Sequence, residues 1–149
     1  MNPLNLPPYS PRIKECEGRS RIFDPLRRRY VALTPEEWVR QHFVNFLITD
    51  RGYPAGRIGN EIRLQLGKTV NRSDTVVYDA AGEPLVCIEY KAPSVSITQE
   101  VFDQVVRYNS VLRVRYLIVS NGLAHYCCRI DYDRGSYEFL HTIPPYDEL

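Results

Sequence analysis

The chain has 149 residues, which is the size of one domain with a single hydrophobic core. Charged residues make up 25% of it, but the net charge is only +1, so any nucleic-acid binding must come from a local basic patch. No apolar run is long enough to span a membrane and the first residues lack a hydrophobic signal core, so we expect a cytoplasmic protein without a membrane partner.

Residues 1–25 contain five prolines and few periodic apolar positions. This composition predicts an extended N-terminal arm with one edge strand over residues 19–23, lying on a single domain formed by residues 26–149. The densest positive cluster of the sequence follows, at Arg27, Arg28 and Arg29. Such a run can bind phosphate or can be a solvated face, and three residues do not decide between the two.

A first helix is predicted to begin after Thr34. Thr34 has the side chain of an N-cap, Pro35 occupies the first helical position, and Glu37 stands where it would close a capping box. Apolar side chains then recur at helical spacing and predict a buried face, and Gly52 with Pro54 predicts the end of the helix. The apolar positions are Val39, Phe43, Phe46 and Leu47.

Residues 60–66 alternate between polar and apolar side chains, which predicts a strand with Ile62, Leu64 and Leu66 turned inward. The Gly-Lys-Thr sequence that follows resembles the end of a phosphate-binding loop. Ile62 occupies the position where a Walker A motif requires its first glycine, so these residues predict no nucleotide-driven motor.

Two further strands, over residues 75–78 and 85–91, are joined by a turn segment. Because side chains alternate along a strand, Glu89 and Lys91 point the same way from the end of an otherwise apolar strand. Two buried charges are costly unless they bind each other, a metal or a substrate. Asp74, at the start of the preceding strand, is close enough across the hairpin to join them. An aspartate, a glutamate and a lysine at one point are suited to metal-dependent hydrolysis of a phosphodiester.

A second helix is predicted over residues 98–112, with Gln104 and Tyr108 adjacent on its surface because they lie four positions apart. An unbroken apolar run at residues 116–120 is typical of a central strand, and residues 124–132 and 137–143 predict a terminal hairpin. Helices interleaved with strands in this order predict an α/β fold with a mixed sheet.

The four cysteines, Cys16, Cys87, Cys127 and Cys128, show no Cys-x-x-Cys or Cys/His spacing of the kind that zinc sites use. We expect them to be buried free thiols.

Asp74 followed by Glu89-Tyr90-Lys91 after a hairpin resembles the PD-(D/E)XK nuclease signature, with Ser73 in place of its proline. Gln104 and Tyr108 resemble the Gln-x-x-x-Tyr motif that follows the catalytic lysine in R subunits of type I restriction enzymes. Residues from about 25 to 145 therefore resemble the N-terminal nuclease domain of that family.

The resemblance implies a restriction-endonuclease-like αβββαβ core with an added C-terminal β-hairpin. It implies a Mg²⁺ or Mn²⁺ ion held by Asp74, Glu89 and the main-chain carbonyl of Tyr90, and catalytic roles for Asp74, Glu89, Lys91, Gln104 and Tyr108. Glu37 is expected to support the metal site from behind. Candidate nucleic-acid contacts are Arg27, Arg28, Arg29, Arg72 and Arg107.

The function implied is that of a metal-dependent DNA endonuclease domain, with a separate helicase or translocase and methyltransferase or specificity subunits as partners. Two alternatives stay open. One is a catalytically dormant DNA-binding or assembly module of a restriction complex, which the modest net charge favours slightly. The other is a small junction resolvase or RNA nuclease of the same superfamily.

Overall fold

The computed structural model describes the backbone of residues 1–149 and every side chain except that of Leu66, so the inward orientation predicted for Leu66 lies outside the described residues. The longer elements are β1 (Ile13–Cys16), β2 (Arg19–Asp24), β3 (Arg29–Ala32), α1 (Pro35–Arg51), β4 (Ile58–Leu66), β5 (Thr69–Tyr78), β6 (Pro84–Tyr90), α2 (Gln99–Asn109), β7 (Tyr116–Ser120), β8 (His125–Asp131) and β9 (Ser136–Leu140). Short 3₁₀ turns cover Ala55–Arg57, Ser110–Leu112 and Tyr146–Glu148.

The main sheet has six strands in the order β4-β5-β6-β7-β8-β9. β6 and β7 are parallel and the other neighbours are antiparallel, so the sheet is mixed. Parallel neighbours need a crossover, and α2 supplies it between β6 and β7. The predicted α/β fold, with its helix, three strands, helix, strand and added hairpin, is confirmed. Within the described part of the chain, neither helix has the length and apolar composition that crossing a lipid bilayer requires.

The two helices cover opposite faces of the central strands. Val39, Phe43 and Leu47 of α1 pack with Ile88 and Ile118. On the other face, Phe102 and Val105 of α2 pack with Cys87, Leu117 and Val119. β6 and β7 are therefore apolar on both sides, which explains why residues 116–120 form an unbroken apolar run.

The start of α1 follows the prediction in part. The Thr34 hydroxyl accepts a hydrogen bond from the main-chain N–H of Glu37 at 3.1 Å. The carboxylate of Glu37 bonds to Arg27, Arg40 and Gln41 instead of returning to the cap, so only half of the predicted capping box forms. A carboxylate gains more from buried guanidinium donors than from one amide.

The N-terminal region differs from the expected arm. β1, β2 and β3 form a separate antiparallel sheet. A strand does form over the predicted residues 19–23, but it is the central strand of this sheet, so the prediction of an edge strand was wrong. Glu17 and Gly18, both with positive φ (54° and 76°), turn the chain between β1 and β2. Positive φ is rare for glutamate, and proline-rich composition gave no sign of this hairpin.

The four cysteines are free, as predicted, and three of them are buried. Cys16 is exposed at the end of β1, so the expectation that it is buried was wrong. The reason is the small sheet, which lifts β1 away from the core of the domain.

Asp24 fastens the small sheet to the rest of the domain. Its side chain is fully buried and accepts hydrogen bonds from Arg27 Nε at 2.5 Å and from Asn60 Nδ2 at 3.0 Å. The main-chain N–H of Leu26 donates to the same carboxylate at 2.8 Å. Burial raises the pKa of Asp24, but the hydrogen bonds from Asn60 and Arg27 outweigh it and leave this pKa below its ordinary value.

We predict that Asp24→Asn lowers the free energy of unfolding by about 3 kcal/mol at pH 7, because it removes one partner of a buried ion pair. Since the pKa of Asp24 is lower in the folded than in the unfolded chain, its contribution is complete above about pH 4 and is lost as the pH falls below that. Urea denaturation at pH 7 and pH 3 measures both effects.

The matched control is Asp133→Asn, which removes a carboxylate from the exposed β8–β9 loop. It should leave the unfolding free energy unchanged at both pH 7 and pH 3. A difference between Asp24→Asn and the unsubstituted chain that is as large at pH 3 as at pH 7 would contradict the assignment.

Candidate functional site

The candidate site lies where β5 and β6 separate. The ladder between β5 and β6 runs from the pair Tyr78–Pro84 to the pair Thr75–Ile88. Past Thr75–Ile88 the two strands separate, because β5 remains paired with β4 and β6 remains paired with β7. Asp74 and Glu89 are the first residues on each side of the fork. In place of the missing ladder bond, the main-chain N–H of Tyr90 donates to Asp74 Oδ2 at 2.9 Å. The fork therefore fixes the Asp74 carboxylate against the end of β6.

Asp74 and Glu89 lie on the two sides of the fork, and both line the same cavity. Burial, followed by the charge and hydrogen bond of Asp74, raises the pKa of Glu89 to about 8, and Lys91 opposes this rise. Two half-buried carboxyl groups this close repel each other when both are ionised. The pair is relieved by a shared proton or by a bound cation.

Lys91 follows β6 directly, and its main-chain N–H donates to the carbonyl of Ser120 on β7 at 2.9 Å. Its side chain lines a cavity of about 540 Å³ together with the two carboxylates. The structure brings the five residues predicted to be catalytic into the wall of this one cavity: Asp74, Glu89, Lys91, Gln104 and Tyr108.

Gln104 and Tyr108 come to the cavity on the exposed edge of α2, because Phe102 and Val105 turn the opposite side of this helix into the core. The hydroxyl of Tyr108 accepts a hydrogen bond from the main-chain N–H of Arg72 at 3.3 Å. The carbonyl of Tyr108 accepts another from Asn71 Nδ2 at 2.7 Å. The end of α2 is thus tied to β5, two residues from Asp74.

A buried arginine on α1 supports the site from the other side. Arg40 Nη1 donates to the main-chain carbonyl of Asp74 at 2.7 Å. The same guanidinium donates to Glu37 at 2.7 and 2.9 Å and to Glu61 at 2.9 Å. Although burial lowers it, the pKa of Arg40 is raised by Glu37 and Glu61, so the group stays charged. Arg40 therefore ties α1, β4 and β5 together at Asp74.

Glu37, the residue expected to support a metal from behind, has its hydrogen bonds to Arg27, Arg40 and Gln41. It reaches Asp74 through Arg40. Burial raises the pKa of Glu37, but hydrogen bonds and charge from Arg40 and then Gln41 bring it below its ordinary value. Glu37 is an ionised carboxylate that holds the guanidinium in place.

Sequence reasoning missed Arg40 and Glu61. Glu61 lies opposite Asp74 on β4, between two regular pairs of the ladder, and has a positive φ of 57°. Its carboxylate accepts hydrogen bonds from Arg40 and, at 2.6 Å, from Arg72 Nε. The spacing of Glu37 and Arg40, three residues apart on one helix, was a usable signal for the ion pair. Nothing in the alternation of residues 60–66 distinguishes Glu61 from a solvent-facing glutamate.

The predicted phosphate-binding arginines are dispersed. Arg27 has a side chain only 14% exposed and is paired with Asp24 and Glu37, so its charge is used inside the domain. Arg29 lines a second groove, of about 510 Å³, whose wall also contains Asp74 and Glu89. Arg28 and Arg107 are exposed, and Arg72 is 65% exposed while bonded to Glu61.

The donor set at the fork fits one kind of metal ion. Among the residues whose side chains are described, no three His, Cys, Asp or Glu side chains form a metal-holding cluster. Two carboxylates, Asp74 and Glu89, do line one cavity. Mg²⁺ is commonly held by one or two carboxylates with water and substrate phosphate oxygens completing its shell. The residues present therefore fit a hard divalent cation and not zinc.

Comparisons with known proteins relate the chain to one family. The family described as type I restriction enzyme R protein N terminus matches residues 35–144. A solved fragment described as an HsdR subunit of a type I restriction enzyme from Vibrio vulnificus superposes with a TM-score of 0.53 at 20% sequence identity. That match covers 78% of this chain and 24% of the other, so the chain corresponds to about a quarter of that structure. Among curated proteins no match is found.

The family match spans more than half of the chain and contains the whole fork from Asp74 to Tyr108. The fold of the Vibrio vulnificus fragment is shared, as its superposition shows. The chain therefore belongs to the family of N-terminal domains of type I restriction enzyme R proteins.

Proposed function

We propose that the chain is a metal-dependent DNA endonuclease domain that hydrolyses phosphodiester bonds. The observation that carries this proposal is the meeting of Asp74, Glu89 and Lys91 at the fork between β5 and β6, in the wall of an open cavity. Carboxylates beside a lysine are the groups that metal-assisted hydrolysis of a phosphodiester requires. Membership of a restriction-enzyme family supports the same activity.

Asp74 and Glu89 would hold Mg²⁺ or Mn²⁺, with the main-chain carbonyl of Tyr90 as a third oxygen donor. Such an ion polarises a phosphate and lowers the pKa of a bound water. The protein's part is to keep the two carboxylates close together before the ion arrives. The bond from the Tyr90 N–H holds Asp74 at the end of β6, and Arg40 holds its backbone.

Lys91 follows Glu89 by two residues and lines the same cavity. Its ammonium group orients the attacking water and stabilises the negative charge that develops on the phosphate. Gln104 and Tyr108 form the opposite wall of the cavity and position the nucleic-acid backbone. Arg72, at the rim, adds a positive charge for a neighbouring phosphate.

The partners follow from the family and not from the chain's own contacts. The Vibrio vulnificus protein is described as a subunit of a restriction enzyme, and this chain matches only part of it. We infer that DNA is the substrate and that separate helicase or translocase and methyltransferase or specificity proteins complete the complex.

We predict that Asp74→Asn and Lys91→Met each lower the rate of plasmid cleavage in Mg²⁺ or Mn²⁺ at least about 100-fold, because each removes a charged group at the reacting centre. Asp74→Asn should also weaken Mn²⁺ binding measured by calorimetry, whereas Lys91→Met should not. The control Asp133→Asn removes an exposed carboxylate of the β8–β9 loop and should cleave normally. Full activity in either site variant, with the fold retained, would refute the proposed mechanism.

We predict that Gln104→Ala lowers the cleavage rate about tenfold and leaves the melting temperature unchanged, because the side chain is exposed and lines the cavity. Gln99→Ala is the matched control, since it removes the same amide from the same helix at a position bonded to Asp103 and Tyr137, outside the cavity. Equal effects of the two substitutions in a cleavage time course would show that Gln104 acts only through the helix.

A further inference from the structure

The small N-terminal sheet carries a basic face that the proposed mechanism does not use. Residues directly opposite each other in an antiparallel pair point to the same side. The register pairs Lys14 with Arg21 and Cys16 with Arg19, and it places these side chains on the side opposite to buried Ile22. The outer face of this sheet, called the basic face below, consists of Arg12, Lys14, Cys16, Arg19, Arg21, Phe23, Tyr30 and Ala32.

Its four cations are exposed, and the described ion pairs of the chain include none of them. The basic face, all of whose side chains are described, contains no acidic residue. Arg12 lies over the Phe23 ring at 3.9 Å and Lys14 over the Tyr30 ring at 4.2 Å. The rings therefore support the cations, and the charge is presented to solvent unneutralised.

Charge is divided unequally along the chain. Residues 1–34 contain seven basic and three acidic side chains, a net charge of +4. Residues 35–149 contain twelve basic and fifteen acidic side chains, a net charge of −3. The part that matches the restriction-enzyme family begins at residue 35, so the family-like body alone is acidic and would repel a polyanion. The positive charge lies in the segment outside that match.

The basic face adjoins the candidate site. Ala32, the last residue of β3 and a member of the basic face, lines the groove whose wall contains Asp74 and Glu89, together with Arg29 and Val31 from the opposite face of the same strand. The sheet is held in this position by the bonds of Asp24 to Asn60 and by Arg27 to Glu37. A chain of phosphates on the basic face would reach the two carboxylates by passing over the β3 edge of the small sheet at Ala32.

We propose that the basic face binds the phosphate backbone of the nucleic-acid substrate and holds it across the cleavage site. This inference rests on the proposed function, because it takes the groove beside the face to be the path of the substrate. The rings are covered by the protein's own cations, so the contact is to phosphates and not to bases. Binding by this face is independent of nucleotide sequence.

The test is binding of a fluorescent DNA duplex to the full chain in EDTA, measured by anisotropy over a range of salt concentrations. The triple variant Lys14→Gln/Arg19→Gln/Arg21→Gln should bind at least about tenfold more weakly at low salt. It should also lower the slope of log K against log salt by about 2 to 3, because each lost phosphate contact removes about 0.9.

The control variant Arg113→Gln/Arg115→Gln/Arg134→Gln removes the same number of positive charges from exposed positions. These positions lie before β7 and in the β8–β9 loop of the main sheet, at the end away from the fork. It should bind nearly as well as the unsubstituted chain. Equal weakening in both variants, or unchanged binding in the first, overturns the proposal. Tighter binding to anionic phosphatidylglycerol vesicles than to DNA, lost in the first variant, would assign the face to a membrane and also overturns it.

The outcome is separable from the proposed function because EDTA removes catalysis from the binding measurement. A chain that binds DNA through this face and cuts nothing in Mg²⁺ or Mn²⁺ would refute the nuclease and leave the binding face standing. If the triple variant Lys14→Gln/Arg19→Gln/Arg21→Gln cleaves DNA at the full rate, the basic-face proposal is refuted and the proposed nuclease function stands.

Discussion

A buried guanidinium organises the candidate site. Arg40 is enclosed beneath the fork, and its five N–H donors can be shared among Glu37, Glu61 and the main chain of Asp74 because the group is planar and branched. Lysine could not make these contacts from one position. The ion pairs keep two carboxylates ionised near the site, while the bond to the Asp74 carbonyl fixes the strand at the point where it leaves β6.

The same polar layer extends to the other side of the fork. The Tyr90 hydroxyl donates to Thr75 at 3.0 Å, and the Thr75 hydroxyl donates to Asn60 at 2.7 Å. Asn60 in turn donates to Asp24 of the small sheet. A buried network of this kind is stabilising only when each polar group has its partner, so the small sheet, β4 and the fork must keep fixed positions relative to one another. The N-terminal sheet, α1 and the fork are thereby held as one unit.

Much of the fold could be predicted from local chemistry. Three elements were predicted correctly from patterns between neighbours in sequence. They are the start of α1 at Thr34-Pro35, the apolar strand β7 and the alternating strand β6. The positions of Glu89 and Lys91 followed from strand alternation. Asp74 followed as their partner from its place across the hairpin, and the resemblance to a nuclease motif pointed to the same residue.

What could not be predicted depends on contacts between distant segments. The hairpin at Glu17 requires a positive φ, which glutamate rarely adopts, so the conformational preference of this residue did not predict a turn there. Arg27 was one candidate phosphate contact, and nothing in the sequence indicated that Glu37, 10 residues away, and the buried Asp24 both pair with it. Arg40 and Glu61 belong to different elements, and only the folded chain shows that they meet beneath Asp74.

The claim that the Arg40 guanidinium holds the fork in shape for the proposed metal ion is tested most directly by Mn²⁺ affinity in a variant that removes the Glu37–Arg40 pair as a whole. In Glu37→Gln/Arg40→Met no unpaired charge is left on α1, so the fold should persist. The account predicts Mn²⁺ binding about 10- to 100-fold weaker by calorimetry. Arg51→Met, at the far end of the same helix, should bind Mn²⁺ normally. Undiminished affinity in the folded double variant would contradict the account.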